Sequence, residues 1–187
     1  MVPLSELWLP ILVSAIAVFV VSSVIHMALP IHKNDYRKMP GEASVLAAMR
    51  AQNVLPGEYM FPCAASMKDM GTPEMQAKLK EGPVGVMSIM PNGGVRLGRA
   101  LLQWFVFSVA IGLLVAYLAA LALPRGVDFH LVFRFTSAAA FLGHATSAVH
   151  NSIWKGVSWG TAVKFMIDGL IYGLTTGAVF GWMWPAT

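Results

Sequence analysis

Charged residues are scarce in this sequence: they make up 12% of its 187 residues, whereas 57% are hydrophobic. A typical soluble domain carries about 25% charged residues. This deficit places the chain among membrane proteins, in contact with a lipid bilayer. The formal net charge of +4 does not indicate a nucleic-acid partner, because the basic residues lie beside apolar runs rather than in one basic motif.

Cysteine and catalytic motifs are also nearly absent. Cys63 is the only cysteine, which excludes an internal disulfide and a zinc site built from several thiolates. The sequence contains no phosphate-binding glycine loop and no H-E-x-x-H. We therefore predict that the protein is not an enzyme and, as a first expectation, that it binds no cofactor.

Four apolar segments are long enough to cross the roughly 30 Å hydrocarbon layer, which takes about 20 helical residues. They are residues 7–29, 100–123, 131–153 and 161–184. Pro30, Pro124 and Pro185 stop three of them, since a helix cannot readily continue through proline. We predict an all-α integral membrane protein, a four-helix bundle forming a single membrane domain over residues 1–187.

The polar section between the first two spans, residues 31–99, has weaker signals. Residues 42–52 are rich in alanine and predict a short helix, and Thr72 followed by Pro73 is a typical helix start. The section has too few large aliphatic residues to build a core of its own. We expect a mostly irregular cytoplasmic section that is not an independent domain.

Basic residues are distributed unequally between the two sides of the membrane. Only Arg125 lies in a loop on the side opposite residues 31–99, whereas ten lysines and arginines lie on the side of that section. Cytoplasmic loops carry an excess of such residues. We therefore predict a multi-pass protein of a bacterial inner membrane with both termini outside. The ten are Lys33, Arg37, Lys38, Arg50, Lys68, Lys78, Lys80, Arg96, Arg99 and Lys155.

The last span carries a ridge of glycines at every fourth position, the pattern of a glycine zipper: Gly169, Gly173, Gly177 and Gly181. Residues with this spacing share one helix face, and a bare face lets another helix approach closely. We expect the ridge to meet small residues of the third span. The candidates there are Ala139, Gly143 and Ser147.

Ionisable residues inside spans are rare and usually face protein rather than lipid. This chain has Arg134, His144, Lys164 and Asp168 in such positions. His144 and Asp168 lie at matching depths, which favours either a proton or ion relay or a buried hydrogen bond that fixes helix register. Lys164, four residues before Asp168, is expected to neutralise it or to reach the lipid headgroups.

Two further groups could bind a cofactor. His26 and His150 lie at equal depth in different spans and could ligate a b-type haem through their imidazoles. A sulfur cluster could instead bind Cu(I), which prefers thiolate and thioether ligands, or could provide a flexible docking surface. Its members are Met60, Cys63, Met67 and Met70.

These features predict a non-catalytic accessory or assembly subunit of a larger membrane complex, bound to a protein partner or to further copies of itself. The alternative is a proton- or ion-conducting protein, or a haem- or copper-binding one, that uses the groups named above.

Overall fold

The computed structural model describes residues 2–93 and 96–186. The chain is mostly helical and divides into two compact units. The first unit comprises residues 2–35, 96–152 and 157–186, and the second comprises residues 36–93 and 153–156. In chain order the elements are α1 (Trp8–Ser23), α2 (Glu42–Ala51), β1 (Gly57–Phe61), α3 (Pro73–Glu81), β2 (Gly85–Ile89), α4 (Leu97–Ala122), α5 (Phe129–Lys155) and α6 (Trp159–Met183).

Three helical segments of the first unit are long and apolar enough to cross a membrane: Trp8–Ala28, Leu97–Ala122 and Trp159–Met183. They agree with three of the four predicted spans. Helix α5 occupies the remaining one and has 27 residues, but it is not apolar enough to count on the same basis. The reason is its polar stripe, which includes His130, Arg134 and Asn151. The predicted count of four spans is therefore not confirmed.

Small residues bring the helices of the first unit together. Helix α1 packs against both α4 and α6. A β-carbon added at Gly112 of α4 would lie 3.3 Å from the carbonyl oxygen of Ile11, and Ala116 and Ala119 are fully buried. Many large apolar side chains point outward instead, as Leu114 does with 58% of its surface exposed. This distribution suits helices surrounded by lipid. There the hydrophobic effect does not drive helices together, and close van der Waals packing stabilises their association instead.

The glycine ridge of α6 lies against α5. A β-carbon at Gly169 would lie 2.6 Å from that of Ala145, and one at Gly173 would lie 2.8 Å from the carbonyl oxygen of Ser137. At Gly177 the nearest backbone atom is the carbonyl oxygen of Phe133, also at 2.8 Å. Only glycine allows such close approach without a shift of one helix.

The face of α5 that meets this ridge is not the expected one. The contacts come from residues 133, 137 and 145, whereas a β-carbon at Gly143 would lie 2.8 Å from the side chain of Ile111 in α4. Residues 143 and 145 are two positions apart, which is roughly 200° around a helix. The expected row of small residues, 139, 143 and 147, therefore belongs to the opposite side of α5.

The second unit has more regular structure than the sequence suggested. Helix α2 and the start of α3 are confirmed, and the hydroxyl of Thr72 accepts a hydrogen bond from the backbone N–H of Met75 at 3.3 Å. Strands β1 and β2 pair antiparallel, with Tyr59 opposite Met87. That pairing was not predicted. Whether the section folds independently stays a prediction.

Candidate metal centre

Helix α1 ends in an irregular segment that carries two histidines. Residues Val24–Ala28 form a π-helical turn, closed by a hydrogen bond from Leu29 N–H to the Val24 carbonyl oxygen (3.2 Å), and His26 lies within it. A 3₁₀ turn at Pro30–His32 follows, and the Asp35 N–H then donates to the His32 carbonyl oxygen at 3.1 Å. We call residues 29–35 the return segment. Single π-helical turns are frequent at functional sites.

The return segment brings His32 to Asp168 of α6. The Nε2 atom of His32 lies 3.0 Å from Oδ2 of Asp168, and Nε2 of His26 lies 3.9 Å from the same oxygen. Asp168 is buried, with 3% of its surface exposed. Despite the 3.0 Å separation, neither His32 Nε2 nor Asp168 Oδ2 has a hydrogen-bond partner, because their directions do not suit a hydrogen bond.

The other ring nitrogens fix the tautomers of both histidines. His32 Nδ1 lies 2.6 Å from Oδ2 of Asp35, and His26 Nδ1 lies 3.0 Å from the carbonyl oxygen of Ser22. A carbonyl or carboxylate oxygen only accepts, so each Nδ1 donates its proton. In the neutral rings both Nε2 atoms are then acceptors. Three acceptor atoms, one from each of His26, His32 and Asp168, lie within 4.8 Å of one another.

Asp35 is held in its ionised form. Lys164 donates to Oδ1 of Asp35 at 2.6 Å and to the carbonyl oxygen of Ile31 at 2.9 Å. The hydrogen bond from Lys164 lowers the pKa of Asp35 below its ordinary value, and the contact with His32 lowers it further, against an opposing effect of burial. Lys164 therefore pairs with the return segment. Among the described residues its hydrogen-bond partners are Asp35 and Ile31 rather than Asp168, because the return segment folds back over this end of α6. Contact of Lys164 with the lipid headgroups stays a prediction.

Two imidazoles and one carboxylate form a ligand set that suits Zn²⁺ or Fe²⁺ and leaves coordination positions open. Metal-binding histidines usually donate their second N–H to a carboxylate or to a backbone carbonyl. His32 does so to Asp35, and His26 does so to Ser22. The arrangement thus has both the ligands of a metal centre and the groups that orient them.

No protein-family model, no curated protein and no solved structure matches this chain. Its function therefore has to be argued from the site itself.

A cavity of about 410 Å³ adjoins two of the three ligands, His26 and Asp168, which form part of its wall. His144 and Tyr172 line it as well. Their rings are 5.5 Å apart, centre to centre. His144 Nδ1 and the Tyr172 hydroxyl are buried without a hydrogen-bond partner. The wall of the cavity is therefore mostly apolar, and these two unpaired polar atoms are buried within it.

The structure does not join His144 to Asp168 as expected. No hydrogen bond or ion pair between them occurs in the part of the chain that the structure describes; both line the cavity, and Asp168 instead lies against His32 and His26. Arg134 is exposed on α5. The relay stays a prediction.

The cofactor alternatives are not decided by the geometry. His26 stacks on His32, with ring centres 4.5 Å apart and planes 4° apart, while His150 is an exposed residue of α5. Haem ligation by His26 and His150 stays a prediction. The sulfur cluster belongs to the second unit, where Met60, Cys63, Met67 and Met70 are all exposed; copper binding there stays a prediction too.

Sequence reasoning missed His32 and Asp35. Both lie in the section assigned to a cytoplasmic loop, directly after the proline that ends the first span. The available signal was their position: a histidine and an aspartate lie within nine residues of His26, at the same predicted end of the membrane spans as Asp168 and Lys164.

Proposed function

We propose that this chain is a membrane-embedded metal-binding protein that holds one divalent first-row transition metal ion between His26, His32 and Asp168. The observation that carries the proposal is the convergence of three acceptor atoms, two of them buried without a partner. An unsatisfied buried polar atom costs about 1–3 kcal/mol. Two acceptors 3.0 Å apart also repel each other, and a cation bound by both would remove that repulsion.

Zn²⁺ and Fe²⁺ are the metals that this ligand set favours. Three protein ligands leave room for an exchangeable ligand, as in sites that act on a bound molecule rather than in purely structural sites. Asp35 and Ser22 would keep each imidazole in the tautomer that binds metal. Lys164 would keep Asp35 ionised and compensate its charge.

The test uses the full chain, purified in mild detergent, stripped with EDTA and reloaded with Zn²⁺, Fe²⁺ or Co²⁺. Elemental analysis should find one metal ion per chain, and Co²⁺ should give visible d–d absorption. His32→Gln and Asp168→Asn should each abolish stoichiometric binding. His130→Gln is the matched control, because this exposed histidine of α5 is not one of the three proposed ligands.

One outcome would rule out a metal centre. If wild-type protein binds no metal, and EDTA leaves its thermal stability unchanged, His26, His32 and Asp168 form a polar cluster that holds the return segment against α6 without a metal ion. Metal binding that persists in His32→Gln and Asp168→Asn alike would place the ion elsewhere and overturn the proposal.

Four membrane spans remain part of the proposal, with residues 31–99 inside, both termini outside, and the chain in a bacterial inner membrane. Helix α5 supports the fourth span because its 27 residues at about 1.5 Å each exceed the hydrocarbon thickness. Its close contact with α6 along the glycine ridge gives the same support. The unequal distribution of basic residues supports the orientation.

A second candidate function is the accessory or assembly subunit. It is favoured by the exposed methionines of the second unit, since Met67 has 89% of its surface exposed and methionine suits adaptable contact surfaces. Native gel migration of the endogenous protein tests it. A species much larger than a monomer, converted to the monomer by Met67→Gln, would support this candidate. Migration as a monomer in both cases would exclude it.

A further inference from the structure

The proposed metal centre and the cavity share two side chains. His26 and Asp168 form part of the cavity wall, whereas His32 is not among the described residues that line it. The His26 side chain is 40% exposed, while the side chains of His32 and Asp35 are 13% and 4% exposed. The side of the centre that belongs to the return segment is therefore nearly closed, and the side at His26 is open. A further ligand of the ion would reach it from the cavity.

The charges at the centre favour a ligand with one negative charge. A divalent ion bound by two neutral imidazoles and the Asp168 carboxylate keeps one positive charge. Lys164 and Asp35 compensate each other across their 2.6 Å contact. Apart from Asp168, no described residue of the cavity wall is aspartate, glutamate, lysine or arginine. An uncompensated charge is costly in apolar surroundings, so the centre favours a monoanion such as a carboxylate, whose oxygen binds both Zn²⁺ and Fe²⁺.

Away from the ion, the wall gives a ligand little to hydrogen-bond. The Tyr172 hydroxyl and Nδ1 of His144 are buried within the wall, where a ligand in the cavity cannot reach them. The hydroxyls of Ser22 and Ser23 donate to a backbone carbonyl oxygen of their own helix. The Trp104 ring N–H donates to the Ser22 hydroxyl at 2.8 Å. Aromatic and aliphatic side chains complete the wall, so the part of the ligand beyond its head group is apolar.

The mouth of the cavity indicates where such a ligand comes from. Met27, Leu97 and Phe165 line the cavity and are also exposed. On helices that cross a membrane, exposed apolar side chains contact lipid, so a lipid-soluble ligand can enter from the bilayer. The volume of about 410 Å³ lies in the lower part of the range of small-molecule sites, roughly 300–1,000 Å³, which suits one hydrocarbon chain rather than two.

We propose that the centre binds a lipid-soluble monocarboxylate, such as a fatty acid. The carboxylate completes the coordination of the metal ion, and the hydrocarbon chain fills the cavity. This inference rests on the proposed metal centre. It concerns binding alone, and no covalent bond of the ligand is made or broken.

The test titrates decanoate into the Co²⁺-loaded full chain in phosphatidylcholine nanodiscs, because the d–d absorption of Co²⁺ responds to a change of its ligands. We expect a saturable change of this absorption at one decanoate per chain. The same spectrum should not change with 1-decanol, which has the same chain length but no carboxylate. Empty nanodiscs give the baseline for partition of either compound into lipid.

Two variants of α4 separate the cavity from the surrounding lipid. Leu101→Trp fills part of the cavity and should weaken decanoate binding about tenfold, because the chain loses the space that it occupies. Leu102→Trp is the matched control, since Leu102 is exposed and is not among the described lining residues. Its decanoate affinity should equal that of wild type.

A decanoate with a photoreactive diazirine in its chain gives a second readout on the wild-type chain, independent of how the variants fold. Mass spectrometry should find the label on wall residues such as Leu101 or Trp104, and EDTA should abolish this labelling.

The outcomes distinguish this inference from the metal proposal. A chain that shows no Co²⁺ absorption would refute the metal centre, and the ligand with it. Co²⁺ absorption that decanoate leaves unchanged would overturn this inference alone. Label found only outside the cavity wall, or equal decanoate affinities in Leu101→Trp and Leu102→Trp, would do the same.

Discussion

The proposed site predicts that the substitution Asp35→Asn weakens metal binding. The two oxygens of Asp35 have different partners: Oδ1 accepts from Lys164 and Oδ2 from Nδ1 of His32, each at 2.6 Å. Asparagine has a single oxygen. The ammonium of Lys164 can only donate, so it keeps that oxygen, and the amide NH₂ turns toward His32. His32 Nδ1 must then accept, which moves the ring proton to Nε2, the nitrogen proposed to bind metal.

The size of the effect follows from this change of tautomer. Losing a group that orients a metal ligand typically costs 10–100-fold in metal affinity. At about 1.4 kcal/mol per factor of ten, this corresponds to about 1.4–2.8 kcal/mol. We expect Asp35→Asn at the upper end of that range, because the substitution both removes the carboxylate and favours the tautomer that cannot bind. Competition with a chelator of known Zn²⁺ affinity, in detergent, measures the dissociation constant.

Asp128→Asn is the matched control for this experiment. It removes the same charge at an exposed position whose side chain accepts from the Leu131 N–H, and asparagine caps a helix as well as aspartate does. Its Zn²⁺ affinity should equal that of wild type. An affinity for Asp35→Asn within twofold of wild type would show that Asp35 does not set the tautomer of His32, and the reasoning above would be wrong.

Two further predictions concern packing and topology. Gly177→Ala should lower the free energy of unfolding in detergent by about 1–3 kcal/mol, because the new β-carbon would lie 2.8 Å from the Phe133 carbonyl oxygen. Gly160→Ala in the same helix should not, since its nearest neighbour lies at 3.9 Å; equal losses would contradict the close-contact argument. Cys63 should resist a membrane-impermeant maleimide in intact cells and react after lysis, because residues 31–99 are proposed to be cytoplasmic. Labelling without lysis would mean the opposite orientation.

The helices of the first unit were largely predictable because long apolar runs ending at prolines leave little choice. The helical segments Trp8–Ala28, Leu97–Ala122 and Trp159–Met183 each end two residues before a proline, at Pro30, Pro124 and Pro185 respectively. Helix α5 was located too, although its polar stripe leaves it outside the set of apolar spans. Strands β1 and β2 were missed because they are short and pair across a stretch that contains a whole helix, α3. Local patterns hold little information about such pairing.

The site was predictable only in part. Asp168 and His26 stood out because ionisable groups within apolar segments are rare. Sequence position gives the depth of a residue along a helix, but not which neighbour it faces. Matching depth therefore indicated His144 as the partner of Asp168, whereas the structure pairs Asp168 with His26 and His32. The contact of His32 with Asp168 could not be predicted, because the position of His32 depends on the fold of the return segment.

The π-helical turn at Val24–Ala28 makes the centre sensitive to chain length rather than to composition. The turn accommodates one residue more than an α-helix would. Loss of that residue would restore the regular helix and leave the following residues nearly in place, whereas one further residue would rotate everything after it by roughly 100°, with a shift of about 1.5 Å. His32 would then leave Asp168 even though every ligand was still encoded. Exposed residues of α1, such as Val20, can exchange among apolar types, whereas a residue added between Ser22 and His32 would move His32 away from Asp168.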